Sequence, residues 1–146
     1  MLSNKSNIDD IVKVFKEKNL KLTLQRINIY SYLMFTCNHP TVDTIYKNIK
    51  KSIPTISLAT VYKTLNTLVD SGLVKMFNVC EENFRYDAKI TPHGHIKCKK
   101  CNEIKDFKLD KSFKNYLPIK TYKVEELDLF LYGICEECSS ELSLTP

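Results

Sequence analysis

Four cysteines in two Cys-x-x-Cys pairs have the residue type and the spacing of a metal site. The first pair is Cys98 and Cys101, the second is Cys135 and Cys138, and 33 residues separate them. Four thiolates bind Zn²⁺ tetrahedrally, and structural zinc sites are often built from two such pairs. A redox-active pair usually opens a helix of a thioredoxin-like unit, a pattern not apparent around either pair. We therefore predict a structural zinc site that joins two distant segments of the chain.

A second candidate site consists of histidines and carboxylates next to the first cysteine pair. His93 and His95 share one face of a predicted strand, because side chains alternate along a strand. His39 is the only other histidine, and Asp87 and Asp106 lie on either side of the pair in sequence. Imidazole and carboxylate ligands suit Fe²⁺, Mn²⁺ or Zn²⁺. If His39 and Asp87 belong to an N-terminal domain, one metal would join the two halves of the chain and could act as a switch.

The remaining composition predicts a cytoplasmic chain without a membrane anchor. The N-terminus is already polar, and no apolar run approaches the roughly 20 residues that span a bilayer. In the cytoplasm the six cysteines are expected to be thiols or metal ligands rather than disulfides. Cys37 and Cys80 have no partner at metal-binding spacing, and we predict that they are small buried apolar residues.

The net charge of +5 is concentrated in the first part of the chain. Residues 1–88 hold 12 Lys and Arg against 8 Asp and Glu, whereas residues 89–146 hold 10 against 9. A basic first part favours a polyanionic partner such as nucleic acid, although a charge of this size also serves solubility alone. Charge by itself does not decide between these interpretations.

The hydrophobic pattern of the first 88 residues predicts four helices followed by a two-stranded ribbon. The helices are expected at about 6–18, 23–35, 41–51 and 57–71, and the strands at 73–79 and 84–87. The capping residues before the last three helices are Thr23, Thr41 and Ser57. Gly72 ends the fourth helix, and the second helix is expected to bury Leu24 and Met34 among others. This order is the outline of a winged helix-turn-helix.

In that fold the fourth helix would enter the major groove of DNA. Its outward side chains are polar or cationic, with no acid before Asp70, whereas a merely solvated helix more often carries mixed Glu and Lys. These outward residues are Ser57, Thr60, Tyr62, Lys63, Asn66 and Thr67. A structural three-helix unit that binds no DNA is the alternative.

Beyond a linker at residues 89–92, the pattern predicts a smaller second domain. Strands are expected at 94–97 and 103–107, on either side of the first cysteine pair, then a short helix from Asp110 to about 117 and a strand-rich run over 120–132.

The order and spacing of several motifs resemble the ferric uptake regulator family of metal-dependent repressors, specifically its peroxide-sensing branch. In the first part the similar segments are 22–26 (Leu-Thr-Leu-Gln-Arg), 39–41 (His-Pro-Thr), 57–63 and 71–74. In the second part they are 93–101 (His-x-His-x-x-Cys-x-x-Cys), 106–107 (Asp-Phe) and 132–138. Leu24 stands where the family has proline, and Lys63 stands where it often has arginine. The resemblance covers nearly all of the chain.

The resemblance implies an α+β fold with two domains. Residues 1–88 would form an N-terminal winged helix-turn-helix DNA-binding domain, 89–92 a hinge linker, and 93–146 a small α/β dimerisation domain with the structural zinc site. The implied zinc ligands are Cys98, Cys101, Cys135 and Cys138. The implied ligands of a regulatory Fe²⁺ or Mn²⁺ are His39, Asp87, His93, His95 and Asp106; iron-sensing members tend to have Glu at the last position.

The resemblance also implies a mechanism of peroxide sensing. Bound Fe²⁺ would react with hydrogen peroxide and oxidise His39 or His93, so that the metal and then the DNA are released. Mn²⁺ would support repression without this reaction. The loss of repression would be a response to oxidative stress.

Tyr62 and Lys63 match positions that contact bases, and Lys21 matches a position that contacts the minor groove. A homodimer with its surface around residues 120–132 would present two recognition helices to a palindromic operator in double-stranded DNA. We expect a repressor and not an enzyme.

Three alternatives stay open. The first is an iron- or zinc-sensing uptake repressor of the same family. The second is a non-haem iron enzyme that uses two histidines and a carboxylate. The third is a zinc-stabilised module that binds RNA or protein.

Overall fold

The structure is a computed structural model that describes residues 4–36, 38–78, 84–89, 91–110, 112–113, 121–125 and 127–142. The chain forms two compact units, Met1–Ile90 and Thr91–Pro146. The first unit contains α1 (Asn4–Glu17), α2 (Leu24–Phe35), α3 (Val42–Ser52), α4 (Leu58–Asp70), β1 (Lys75–Asn78) and β2 (Phe84–Asp87). The second contains β3 (His93–Cys98), β4 (Ile104–Lys108), β5 (Leu129–Gly133) and α5 (Glu136–Leu142). The α+β class predicted from the sequence is confirmed.

Hydroxyl side chains start three of the helices. Each predicted cap accepts a hydrogen bond from a backbone N–H three residues later: Thr23 from Arg26, Thr41 from Thr44 and Ser57 from Thr60. The first N–H groups of a helix have no partner inside the helix, so a nearby hydroxyl acceptor stabilises the start. These helix starts could therefore be predicted from single residues.

The end of α4 is set by Gly72, whose φ of +72° lies in the left-handed region. Its N–H donates to the Val69 carbonyl at 2.9 Å, and the N–H of Leu73 donates to the Leu68 carbonyl at 3.0 Å. This pair of bonds is the Schellman pattern, which glycine favours because it has no Cβ. The chain leaves α4 sharply and enters β1 after two buried residues, Leu73 and Val74. The strand therefore begins two residues later than in the predicted range 73–79, whose last residue lies outside the described residues.

The first unit has its own apolar core, in which residues such as Phe15, Ile45 and Leu65 are fully buried. Burying a side chain of this kind stabilises a fold by about 1.5–3 kcal/mol.

One part of the predicted core is wrong. Leu24 is 63% exposed and Met34 is 48% exposed. The residues of α2 that are buried are Ile29, Tyr30 and Leu33. At 3.6 residues per turn Leu24 lies on the opposite side of the helix from these three, and Met34 lies at the edge of their face.

β1 and β2 form the predicted antiparallel ribbon, with Lys75 opposite Asp87. The ribbon is tied to the segment before α3, because the N–H of Tyr86 donates to the Pro40 carbonyl at 3.2 Å. The last residue of β2, Asp87, thereby reaches the segment that contains His39.

The second unit is built on a three-stranded sheet in the order β4-β3-β5, with β3 in the centre. β3 runs antiparallel to β4 and parallel to β5. His95 is paired with Asp106 on one side and with Phe130 on the other. The two neighbouring strands therefore bring their side chains to the histidines of β3.

The sequence overestimated the strand content before β5. Of the predicted strand-rich run 120–132, residues 121–125 form no strand, and the strand begins at Leu129. A strand needs a partner backbone, and the register pairs Leu129–Gly133 with Gly94–Cys98 only.

α5 was not predicted. Cys37, Cys80 and most of the helix predicted at 110–117 lie outside the described residues.

Candidate metal centres and nucleic-acid interface

The four predicted zinc ligands lie together in the second unit. Cys98 ends β3, Cys101 lies in the following turn, Cys135 lies between β5 and α5, and Cys138 lies in α5. Their four Sγ atoms all lie within 4.8 Å of one another. The Sγ atoms of Cys101 and Cys135 are 3.8 Å apart, which matches the edge of a tetrahedron with corners about 2.3 Å from a central zinc ion. The site fits Zn²⁺ in donor chemistry and in size.

Backbone N–H groups surround the sulfur of Cys98. This Sγ accepts from the N–H groups of Lys100 at 3.4 Å, Cys101 at 3.5 Å and Cys135 at 3.4 Å. Asn102, at a φ of +62°, closes the turn and donates its N–H to the Cys98 carbonyl at 3.0 Å. The bonds from Cys101 and Cys135 lower the pKa of the Cys98 thiol to about 6, because donors stabilise the thiolate. The turn thus favours the thiolate of Cys98, which is its metal-binding form, at neutral pH.

His93 and His95 extend from β3 toward a carboxylate of β4. Their Nε2 atoms are 3.1 Å apart, and each lies 3.7 Å from Asp106 Oδ1. The Nδ1 of His93 lies 2.7 Å from the carbonyl oxygen of Thr91. An N–H donated there leaves Nε2 as the atom with a lone pair, which is the form of imidazole that binds metals. This cluster offers two nitrogens and an oxygen to a divalent cation.

Aromatic residues of the neighbouring strands fix the position of this cluster. The ring of His95 stacks on Phe130 of β5 with a centroid distance of 4.8 Å and an interplanar angle of 15°. Phe107 of β4 lies against Gly94, where a Cβ would overlap its ring. No role for Phe130 or Gly94 was predicted from the sequence. The one feature of the sequence that could have indicated this packing is Gly94, a small residue between two histidines.

In the first unit, His39 and Asp87 lie side by side. His39 Nε2 is 3.6 Å from Asp87 Oδ2, and both side chains are buried. Asp87 Oδ1 accepts the N–H of Lys89 at 2.8 Å. The ring of His39 meets the ring of Phe77 edge-on, at a centroid distance of 5.5 Å. This pair also has the nitrogen and oxygen donors of a site for a divalent metal.

The predicted DNA-contacting residues in α4 and at its N-cap are exposed or half-exposed. They are Ser57, Thr60, Tyr62, Lys63 and Asn66. Tyr62 is 44% exposed, which leaves its hydroxyl accessible to a partner. Hydroxyl, amide and ammonium groups on one helix can hydrogen-bond to base edges and phosphates in a major groove.

Three predicted DNA contacts, Ser57, Thr60 and Lys21, also form hydrogen bonds within the fold. Ser57 Oγ accepts the N–H of Thr60 at 3.1 Å, and the two hydroxyl oxygens are 2.8 Å apart. Lys21 is exposed before α2, and its carbonyl accepts a bond from Arg26 Nη1 at 2.9 Å. These bonds fix the backbone at the start of α4 and before α2.

Within the part of the chain that the structure describes, no helix is both long and apolar enough to cross a bilayer.

Comparisons with known sequences agree with these features. The model of the ferric uptake regulator family matches residues 17–132. The transcriptional regulator PerR of Clostridium acetobutylicum is 45% identical over 137 residues, which cover 92% of this chain and 99% of that protein. The peroxide operon regulator of Bacillus subtilis is 34% identical over 137 residues, which cover 92% of this chain and 94% of that protein.

A solved structure extends the likeness to the fold. The Campylobacter jejuni peroxide stress regulator superimposes with a TM-score of 0.71 at 33% identity, and the match covers 90% of this chain and 98% of that one. The chain therefore belongs to the ferric uptake regulator family and, within it, to the branch of peroxide-responsive transcriptional repressors.

Proposed function

We propose that this chain is a metal-dependent repressor that releases DNA when hydrogen peroxide oxidises one of its metal-binding histidines. The observation that carries the proposal is the presence of two donor sets of different chemistry on one strand. β3 begins with His93 and His95, which face Asp106, and ends with Cys98. Thiolates suit permanent zinc, whereas imidazole and carboxylate donors admit redox-active Fe²⁺.

The four cysteines, Cys98, Cys101, Cys135 and Cys138, would hold Zn²⁺ permanently. Such an ion would join the turn after β3 to the start of α5. Because four protein ligands complete a tetrahedral site, no position is left open for a substrate. Because the zinc ion would bind only the folded arrangement of the four cysteines, its binding free energy would contribute to the folding of the second unit.

We assign His39 and Asp87 to the same regulatory ion as His93, His95 and Asp106. The support is the donor chemistry of each cluster and the similarity of the surrounding motifs to the family. When bound there, Fe²⁺ would supply redox chemistry in which hydrogen peroxide gives one oxygen atom to a ligand imidazole and leaves as water, whereas Mn²⁺ would not supply it.

The residues around the histidines prepare them for this role. The Thr91 carbonyl holds His93 in the tautomer whose Nε2 faces Asp106. Both His39 and His93 are buried, which would limit the access of bulk water to the ligand rings during oxidation. Oxidation of a ring weakens its nitrogen as a donor. An ion with ligands from both units would couple the units, and the loss of one ligand would weaken that coupling.

DNA binding would use the exposed face of α4 together with Lys21. A homodimer would present two copies of α4 to the half-sites of a palindromic operator. We place this repressor in the cytoplasm, where the operator DNA of such a regulator is found.

The test compares Fe²⁺-loaded and Mn²⁺-loaded protein before and after peroxide. The Fe²⁺ form should lose operator binding in an anisotropy assay and gain one oxygen atom at His39 or His93 in peptide mass spectrometry. The Mn²⁺ form is the matched control, and its operator binding and the masses of its histidine peptides should not change. An Fe²⁺ form that keeps its DNA and gains no oxygen would instead indicate a repressor that senses the supply of iron or zinc.

A further inference from the structure

His39 has an unusual backbone conformation for a residue with a side chain. Its φ is +43°, in the left-handed region that favours glycine. The next residue is Pro40, which restricts the backbone of the residue before it. A histidine held in this conformation costs conformational free energy, so contacts around it must stabilise it.

β2 supplies these contacts. Arg85 Nη1 donates to the carbonyl oxygen of His39 at 3.1 Å. Arg85 also forms an isolated antiparallel bridge with Thr41, and the N–H of Tyr86 donates to the carbonyl oxygen of Pro40 at 3.2 Å. The bond from Arg85 has a charged donor, and charged donors form stronger bonds than neutral ones. One strand thus holds three consecutive residues, 39–41.

The same strand ends in Asp87, two residues after Arg85. Because side chains alternate along a strand, Arg85 and Asp87 extend from the same face of β2. The ring of His39 meets Asp87 at 3.6 Å between Nε2 and Oδ2. Arg85 therefore fixes the His39 backbone at the place from which the ring reaches the carboxylate.

We propose that Arg85 is a positioning residue for the regulatory metal, because it holds His39 in the strained conformation from which the imidazole binds the same ion as Asp87. This role rests on the proposed function, in which His39 is a ligand. Arg85 acts through the His39 backbone and does not bind the ion. Residues that orient a metal ligand typically contribute about 10–100-fold to metal affinity.

The first test measures Mn²⁺ affinity by calorimetry on the full-length, zinc-loaded chain. Arg85→Gln should weaken Mn²⁺ binding about tenfold or more. Arg85→Lys should be intermediate, because an ammonium keeps the charge without the planar fork of the guanidinium. Lys16→Ala removes a positive charge from an exposed position of α1 and should leave the affinity unchanged.

The second test measures where oxygen is added. At an Fe²⁺ concentration that saturates each variant, peroxide treatment and peptide mass spectrometry give the ratio of oxidation at His39 to oxidation at His93. This ratio should fall several-fold in Arg85→Gln, because His39 leaves the ion more often than His93 does. A residue that only stabilised the fold would lower the unfolding temperature without changing the ratio in folded, saturated protein.

The outcomes separate this inference from the proposed function. If wild-type protein is oxidised at His39 and Arg85→Gln keeps both the wild-type affinity and the wild-type ratio, the positioning role is wrong and the proposed function stands. If Arg85→Gln does not fold, Arg85→Lys decides, and wild-type values in that variant overturn the role. If wild-type protein neither binds Mn²⁺ nor is oxidised at a histidine, both fail.

Discussion

The two ends of β3 differ in how their candidate ligands are supplied. At the C-terminal end, Cys98 joins three other cysteines of the second unit, and all four donors are thiols. At the N-terminal end, His93 and His95 face Asp106, and the proposed site needs further ligands from the first unit. A set of identical soft donors from one unit suits a permanent ion. A mixed set divided between two units suits an ion whose loss is felt by both.

The two ends are also supported differently. The Cys98 sulfur accepts three backbone N–H groups, which substitutions of neighbouring side chains leave in place. Apart from the Thr91 carbonyl beside His93 Nδ1, the histidines depend on side chains, namely the stacked ring of Phe130 and the carboxylate of Asp106. The cysteine site should therefore tolerate changes nearby, and the histidine site should not.

The largest effect is expected from Cys98→Ser, which removes one of four zinc ligands. Structural zinc contributes about 10–16 kcal/mol of binding free energy in small zinc-dependent folds, which is comparable to the whole stability of a domain, about 5–15 kcal/mol. The variant should lose zinc, and its second unit should unfold with loss of dimers. Zinc analysis and sedimentation velocity measure both.

Lys99→Ala is the matched control for this change, because Lys99 is exposed in the same turn but is not a ligand. It should keep one zinc ion per chain. A Cys98→Ser protein that remains folded and dimeric would count against a structural role for the cysteine cluster.

The next largest effect is expected from Asp106→Ala, which changes the carboxylate beside the histidines of β3. The variant should keep its zinc and its unfolding temperature but need at least about tenfold more Mn²⁺ for DNA binding, since a direct ligand should contribute no less than the residues that orient ligands. Fluorescence anisotropy with labelled operator DNA at increasing Mn²⁺ measures this shift. Asp106→Asn keeps the size of the side chain and separates the loss of charge from the loss of packing. An unchanged Mn²⁺ requirement in both variants would remove Asp106 from the site.

A smaller effect, on DNA binding, is expected from Lys63→Ala, which lies in α4 and outside both candidate metal sites. Loss of this cation from α4 should weaken DNA binding by about 1–3 kcal/mol if it contacts a base, or lower the salt slope by about one if it contacts a phosphate. Zinc content and Mn²⁺ affinity should stay at wild-type values, because Lys63 is not among the proposed ligands of either metal. Lys16→Ala serves as the charge control. DNA binding equal to wild type at all salt concentrations would exclude Lys63 from the interface.

Features encoded by single residues could be predicted from the sequence. The hydroxyl caps at Thr23, Thr41 and Ser57 each start a helix as expected, because a cap depends only on a backbone three residues away. The Cys-x-x-Cys spacing and the alternation of His93 and His95 are equally local. These signals were enough to propose two donor sets.

Features that depend on which strands become neighbours could not be predicted. Alternating apolar residues indicate the faces of a strand but not its partner, so the parallel pairing of β3 with β5 was not foreseen. The stacking of Phe130 on His95 follows from that pairing. The hydrogen bond from Arg85 to the His39 carbonyl joins residues 46 positions apart in sequence. Leu24 was misassigned because an apolar residue at a helix start need not face the core.

The smallest effect is expected from Gly94→Ala, and it tests whether the two ends of β3 are independent. An added Cβ would overlap the Phe107 ring, and overpacking of this kind costs about 1–3 kcal/mol. The strand would shift where His93 and His95 flank the substitution, so Mn²⁺ affinity should fall several-fold. Zinc content should not change, because backbone N–H groups beyond the strand hold the Cys98 sulfur.

Phe107→Leu provides the second arm of a double-mutant cycle, since a smaller side chain leaves room for the Cβ. Gly94→Ala combined with Phe107→Leu should be less destabilised than the sum of the two single changes, as measured by urea unfolding and Mn²⁺ calorimetry. If Gly94→Ala lost zinc as readily as Mn²⁺, a displacement at the histidines would reach the cysteines along the strand. The cysteine and histidine sites would then be coupled through β3. The difference in their ligand chemistry alone would not make the zinc-dependent stability independent of metal binding at the histidines.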